Sequence, residues 1–293
     1  KDGMVYYLIP DDEDIDKIIN NTNKFKNLSN LIILLPRRSL NIDNLILKYW
    51  AIIRLMMDEK LLEKEAFLKK ELMLYEEEIL KEINSILSTT FNNEFKNVYV
   101  INKVKVLIEV NNRYSLQKEA SKIMEGYFDK TPKINNEMIN KNNLTATMKS
   151  VERKVINKLW ESKYNNKKFK FKKFDAEYTT ARTIYINTKI LNNDENFIAS
   201  TNYRNLPEEN PIKAIFNEIE KFLEDCREKE KSFYDLYKVL KSQPYGLKNG
   251  VIPLLFGAAI IDNLDNIYIK RNETYEDIDG KLIVDMVYNR PAA

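Results

Sequence analysis

Val251–Ile261 reads VIPLLFGAAII and is the longest apolar run in the chain. It carries no charge and no amide. Asn249-Gly250 just before it and Pro253 just inside it mark the start of a helix that should run to about Asn263. A helix apolar all round belongs inside a core, and this one is only about half the length a bilayer span needs. Working outward, the spacing predicts helices at about 211–229 and 232–242 upstream, the second capped by Ser232. Two short strands, Ile267–Arg271 and Glu273–Ile278, and a last helix, Lys281–Asn289, follow downstream. Three helices and then two strands is the order of a winged helix. The third helix of such a fold reads a groove with Arg, Lys, Asn or Gln. Here it has none, so packing or protein contact is its expected role. Lys270 and Arg271, on the wing, remain able to touch phosphate.

Further upstream the three- and four-residue period predicts helices at about 115–127, 134–140, 144–163 and 178–190. Val98–Val110 (VYVINKVKVLIEV) has a strand pattern, read as a hairpin turning near Asn102-Lys103. A helix capped by Asn41 or Asp43 should run to about Met57. A long charged helix should follow over about 59–87, its stripe made by Leu61, Leu68, Leu72, Tyr75, Ile79, Ile83 and Ile86. Together they form a helical hairpin. At the N-terminus, Val5–Ile9 and Leu31–Leu35 are continuous apolar runs separated by an acidic start, Asp11 to Asp16, and by Ile15, Ile18 and Ile19. That is a small βαβ unit, because buried parallel strands are apolar on both faces. The fold class is therefore α+β, mostly α-helical. The expected segments are a βαβ unit (1–40), a charged helical hairpin (41–97), a β-hairpin with a basic helical region (98–205), and a winged-helix-like module (206–293).

Composition removes several chemistries. The 293 residues include no histidine and one cysteine. Ser-His-Asp and Cys-His triads, His-ligated zinc, Cys-built metal sites and an internal disulfide are all excluded. Lone Cys226, with no base to activate it, is incidental and fits a reducing compartment. Only six glycines are present. The one Gly-Lys pair, Gly280-Lys281, lacks the upstream glycine and the Ser/Thr of a P-loop. Tyr6–Asp12 (YYLIPDD) mimics a strand ending in metal-holding acids, but without a P-loop those acids are read as helix-start charge. Asp279-Gly280-Lys281 has the D-x-K form of a nuclease metal site, with no second acid to place beside it. No secretory signal or membrane span is legible, so the expected location is the cytoplasm, with no membrane partner.

The net charge of +3 makes no demand on partners; its distribution does. Between Lys141 and Phe174 eleven basic residues face only Glu152 and Glu161, a balance of about +9. Inside this stretch, Lys167–Phe174 reads KKFKFKKF. Lys163, Lys167, Lys168, Lys170, Lys172 and Lys173 could neutralise phosphates, and Phe169 and Phe171 could stack on bases. The competing reading is a strand or loop with the phenylalanines inward and the lysines solvated, which the two-residue alternation equally predicts.

Three stretches taken in order resemble a known group. They are Asp2–Tyr7 (DGMVYY) with Leu34–Arg38 (LLPRR) and the charged hairpin after it, Thr131–Asn140 (TPKINNEMIN), and Pro244–Leu255 (PYGLKNGVIPLL), the most specific. The sequence resembles the region downstream of the nucleotide-binding domain in large prokaryotic conflict-system ATPases. Nearest is the large P-loop ATPase of BREX phage-exclusion systems. The resemblance implies a fragment of a longer antiviral protein, non-catalytic in itself and acting as a scaffold and interaction surface. ATP and Mg would bind only in the rest of the parent, so this segment would hold no cofactor and no catalytic residue. Double-stranded DNA, other defence-system proteins or a second copy are the partners it implies. A stand-alone nucleic-acid-binding protein and a metal-dependent nuclease are the alternatives. A Walker A motif upstream of Lys1 in the same reading frame would separate the first reading from both.

Overall fold

A strand apolar at every position must be covered on both faces, and β2 (Leu31–Pro36) is buried at all six residues. A computed structural model describes residues 4–9, 17, 31–37, 40–64, 66–91, 98–101, 108–109, 112–191, 198–271 and 273–289. The chain divides into two compact units, Lys1–Tyr127 and Phe128–Ala293. In the first, β1 (Met4–Tyr7) runs parallel to β2 with Met4 opposite Leu31 and Tyr7 opposite Leu34. That is the two-strand part of the expected βαβ unit; its acidic start and helix lie outside the described residues. β3 (Val98–Ile101) pairs antiparallel with the other edge of β2, Ile33 opposite Ile101. β4 (Ile108–Glu109) returns antiparallel on β3. The hairpin's turn at Asn102-Lys103 is outside the described residues. The sequence assigned this hairpin to a later segment, whereas it completes one sheet of order β1-β2-β3-β4.

Alternation along β2 sorts its side chains. Ile32 and Leu34 pack with Phe91, Leu87, Leu116, Ala120 and Ile123. Leu31, Ile33 and Leu35 pack with Met4 and Leu8. The first set is supplied by α3 (Ala66–Phe91) and α4 (Arg113–Tyr127). At the start of α4, Asn112 and Ser115 cap each other: the Ser115 backbone N–H donates to Asn112 Oδ1 at 2.8 Å, and the Asn112 N–H to Ser115 Oγ at 3.1 Å. α1 (Asp43–Met56) and α2 (Glu59–Lys64) precede α3, and α1 packs on α3 as the hairpin reading expects. The capping expectation fails. Ile42 holds the cap position without a side-chain bond, and Asn41 takes a left-handed φ of 46°, a conformation asparagine tolerates. Of the stripe read from sequence, Leu72 is buried and Tyr75 is exposed.

The second unit is built on α5 (Ala146–Tyr164) and α9 (Ile252–Ala259). All eight residues of α9 are buried, as its composition requires. α5 buries Met148, Val151, Glu152, Val155, Ile156, Leu159, Trp160 and Ser162, a face of three- and four-residue steps. It packs against α9, α10 (Gly280–Tyr288) and α6 (Ala176–Ala181). α7 (Pro211–Glu228) is capped by Asn210 with Pro211 at its first turn. α8 (Phe233–Lys241) is capped by Ser232, whose hydroxyl accepts from the Tyr234 N–H. After α9 come a 3-10 turn, Ile261–Asn266, and a two-stranded antiparallel pair, β5 (Ile269–Arg271) and β6 (Thr274–Glu276), joined only to each other.

Two expectations are corrected. Residues 134–140 are irregular with a turn at 137–139, not a helix. Buried Asn136 accepts from the Met138 N–H at 3.0 Å and donates to Thr183 Oγ1 at 3.0 Å. Such local side-chain bonds compete with helical ones. The helix read at 178–190 is α6 followed by a π-turn, Arg182–Ile186, which ends at turns 187–189 with Lys189 at φ 61°.

Candidate nucleic-acid interface

The basic segment hangs between α5 and α6. Thr145 caps α5 by accepting from the Met148 N–H. The helix stops at Asn165, and Asn166 turns the chain away with φ 53°, an asparagine in the position where helices commonly end left-handed. From Lys167 to Lys172 the backbone has no regular structure and no strand partner. The segment is instead pinned by one ring. Phe169 is only 7 % exposed and lies in the main core of the unit. Its centroid is 6.1 Å from that of Tyr185 and 5.2 Å from that of Phe171, the latter edge-on at 86°. Phe171 is half-buried, and Lys158 Nζ sits 4.6 Å above it, a cation–π contact.

The inward reading describes buried Phe169, whereas Phe171 is half-buried against the same core. Lys167, Lys168, Lys170, Lys172 and Lys173 are all exposed. Five ammonium groups within seven residues span at most about 20 Å of chain. Lys167 approaches Glu161 at 4.0 Å, the limit of an ion pair, with both side chains more than half exposed. Lys163 is placed differently. It is paired with Asp262 at 3.0 Å, and the Thr201 hydroxyl donates to the same carboxylate. Burial alone would raise the Asp262 carboxyl, but Thr201 and Lys163 outweigh it and hold it below its ordinary value. Lys163 is committed to that pair, and Lys154 likewise to Glu177 at 3.0 Å.

The acids opposing this segment are fewer than the sequence suggested. Glu152 is fully buried, and neither carboxyl oxygen has a hydrogen-bond partner among the described residues. Burial pushes its pKa up to about 9, against the opposing pull of Lys149 and Arg153. At neutral pH it is a protonated acid, so only Glu161 carries negative charge between Lys141 and Phe174. Burial, reinforced by Glu152, also pushes the Tyr185 and Tyr288 phenols well up. Arg153 pairs with Asp285 at 2.8 Å. The charge balance counted Glu152 as an opposing acid, although its spacing from Met148, Ile156 and Leu159 places it on the apolar face.

Other candidates take structural roles. Asp279 of the D-x-K triplet caps α10, accepting from the Leu282 N–H at 2.7 Å. The Gly280 N–H is held by Asn157 Oδ1 at 2.6 Å. Among the described residues no three His, Cys, Asp or Glu gather as a metal site. Cys226 is half-buried, and burial pushes its thiol up, the wrong direction for a nucleophile. Lys270 on β5, read from sequence as a wing residue, pairs with Glu230. All eight residues of α9 are buried, so none is open to a nucleic acid. Among the described residues no helix is long and apolar enough to cross a membrane. Comparison with protein-family models, curated proteins and solved structures finds no match to this chain.

Proposed function

We propose that this chain is a non-catalytic interaction module that contacts nucleic-acid phosphates through Lys167, Lys168, Lys170, Lys172 and Lys173, as part of a larger phage-defence ATPase. The observation that carries the nucleic-acid part is the exposed lysine arc held by the buried Phe169 ring. Anchoring fixes the segment on the surface with its five lysines exposed. The burial of Glu152 strengthens the local positive field by withdrawing one of two opposing acids. Assignment to a defence ATPase is supported by the order of the three motif stretches. The scaffold role is supported by α1 and α3, which leave Trp50 65 % and Phe67 78 % exposed.

The test is binding of double-stranded DNA at about 50 and 200 mM salt by the wild type and by a variant with those five lysines changed to Gln. Each phosphate contact contributes about 0.9 to the slope of log affinity against log salt, so the variant should lose a slope of up to about 4.5. Equal slopes, or no binding of the wild type to either a duplex or a single strand, would overturn the proposal.

A further inference from the structure

Phe174 differs from the other two rings of the segment. It is 93 % exposed. Its backbone is left-handed, with φ 72°, a conformation disfavoured for bulky side chains. The turn is closed by the Asp175 N–H, which donates to the Lys172 carbonyl at 3.3 Å. The result is an aromatic side chain held in solvent at the head of α6, directly after exposed Lys172 and Lys173. A strained backbone that spends its freedom on presenting an apolar ring to water points to a partner for that ring.

We infer that Phe174 is a stacking platform for an unpaired base, and that the nucleic acid bound by this segment is single-stranded. The inference rests on the phosphate-contact reading and adds the form of the ligand. Both faces of a base in a duplex are covered by its neighbours, so a lone ring gains little there. In a single strand the base face is free, and a ring flanked by cations meets base and backbone together. Lys173 and Lys172 are one and two Cα steps of about 3.8 Å from Phe174, so their ammonium groups reach phosphates beside the stacked base. Asp175 and Glu177 are the nearest acids in sequence, and Glu177 is neutralised by Lys154. A lipid surface is the less favoured partner. Stable attachment to a bilayer needs more buried apolar surface than one ring offers, and Phe169 and Phe171 are turned inward.

The experiment uses the full chain and fluorescein-labelled oligothymidylate of about 20 nucleotides, beside a duplex of the same length. Wild type, Phe174→Ala, Phe174→Trp and the five-lysine variant are compared at fixed salt, with vesicles containing phosphatidylserine as a third ligand. The single strand should bind more tightly than the duplex. Phe174→Ala should weaken single-strand binding about 5- to 100-fold and leave duplex binding within about twofold. Phe174→Trp should restore affinity and show fluorescence quenching by the oligonucleotide. If Phe174→Ala binds the single strand as well as wild type does, while the five-lysine variant loses affinity, the stacking inference falls and the phosphate reading stands. If wild type binds neither nucleic acid, both fall, and lysine-dependent vesicle binding would then identify the segment as a membrane contact.

Discussion

The Trp160 indole N–H donates to the Gly257 carbonyl oxygen at 2.8 Å, between two buried residues. The carbonyl belongs to the last turn of α9, where helices leave their acceptors unpaired. α5 thus supplies from its own side chain what α9 lacks. The two helices can approach because residue 257 has no Cβ; one placed there would stand 3.1 Å from Ile156 Cγ2. Trp160→Phe keeps an aromatic ring but removes the donor and leaves the carbonyl buried. The expected loss is about 1–3 kcal/mol, read as a lower urea midpoint with an unchanged slope in the transition of the second unit. An unchanged midpoint would mean that the bond contributes nothing net.

Glu152 makes stability depend on pH in a defined direction. Its folded pKa, about 9, lies above its ordinary value of 4.5. The folded state therefore keeps a proton that the unfolded chain releases. The contribution is full below about pH 4.5 and is lost as pH rises toward about 9. Glu152→Gln removes this dependence. The variant should gain on the wild type as pH rises from 5 to 8, by at most roughly 1.4 kcal/mol per pH unit. Urea titrations at three pH values check the sign. A gain that grows toward acid pH would contradict the burial of a neutral carboxyl.

Phe169 and Phe174 stand five residues apart and should answer truncation in opposite ways. Phe169 fills the core beside Tyr185, so Phe169→Ala leaves a cavity and should cost about 3–5 kcal/mol. Phe174 touches little, and its loss should change stability by less than about 0.5 kcal/mol, as at other exposed positions. Paired denaturation curves of the two variants decide this. Equal effects would show that the ring of Phe169 does not anchor the segment.

The parts of this fold set by local pattern were legible in the sequence. β2 and α9 are continuous apolar runs, and both are buried. α5, α7 and α8 follow helical steps, and Ser232 caps α8 as read; the caps at Thr145 and Asn210 were not read from sequence. What was not legible depends on distant partners. No local feature says that Val98–Ile101 pairs with β2 across more than sixty residues. The irregular path of 134–140 is set by Asn136 reaching Thr183. In the candidate interface, alternation fitted inward and outward phenylalanines equally. The parity of the numbers held more than was read from it: Phe169 and Phe171 share a parity and turn inward, whereas Phe174 breaks it and stands in solvent.

Gly250 lies in the most specific of the motif stretches, and its role is one of space. Its N–H donates to the Lys141 carbonyl at 3.1 Å. The neighbouring Asn249 side chain donates to the Asn142 carbonyl at 2.9 Å and accepts from the Tyr237 hydroxyl at 2.9 Å. The turn before α9 is thereby pressed onto residues 136–142. A Cβ at position 250 would stand 2.2 Å from the Ile139 carbonyl oxygen and 3.0 Å from its carbon. Backbone atoms cannot rotate aside, so Gly250→Ala must move the turn. The expected cost is about 3 kcal/mol, the upper end for overpacking. Gly126 is the contrast. It lies in the last turn of α4, and a Cβ there meets nothing within 4 Å. Gly126→Ala should stabilise the first unit by up to about 1 kcal/mol, because alanine is the better helix former. Thermal unfolding followed by circular dichroism should show opposite shifts, in different transitions if the units melt apart. A wild-type melting profile for Gly250→Ala would show that the turn is not seated against Ile139.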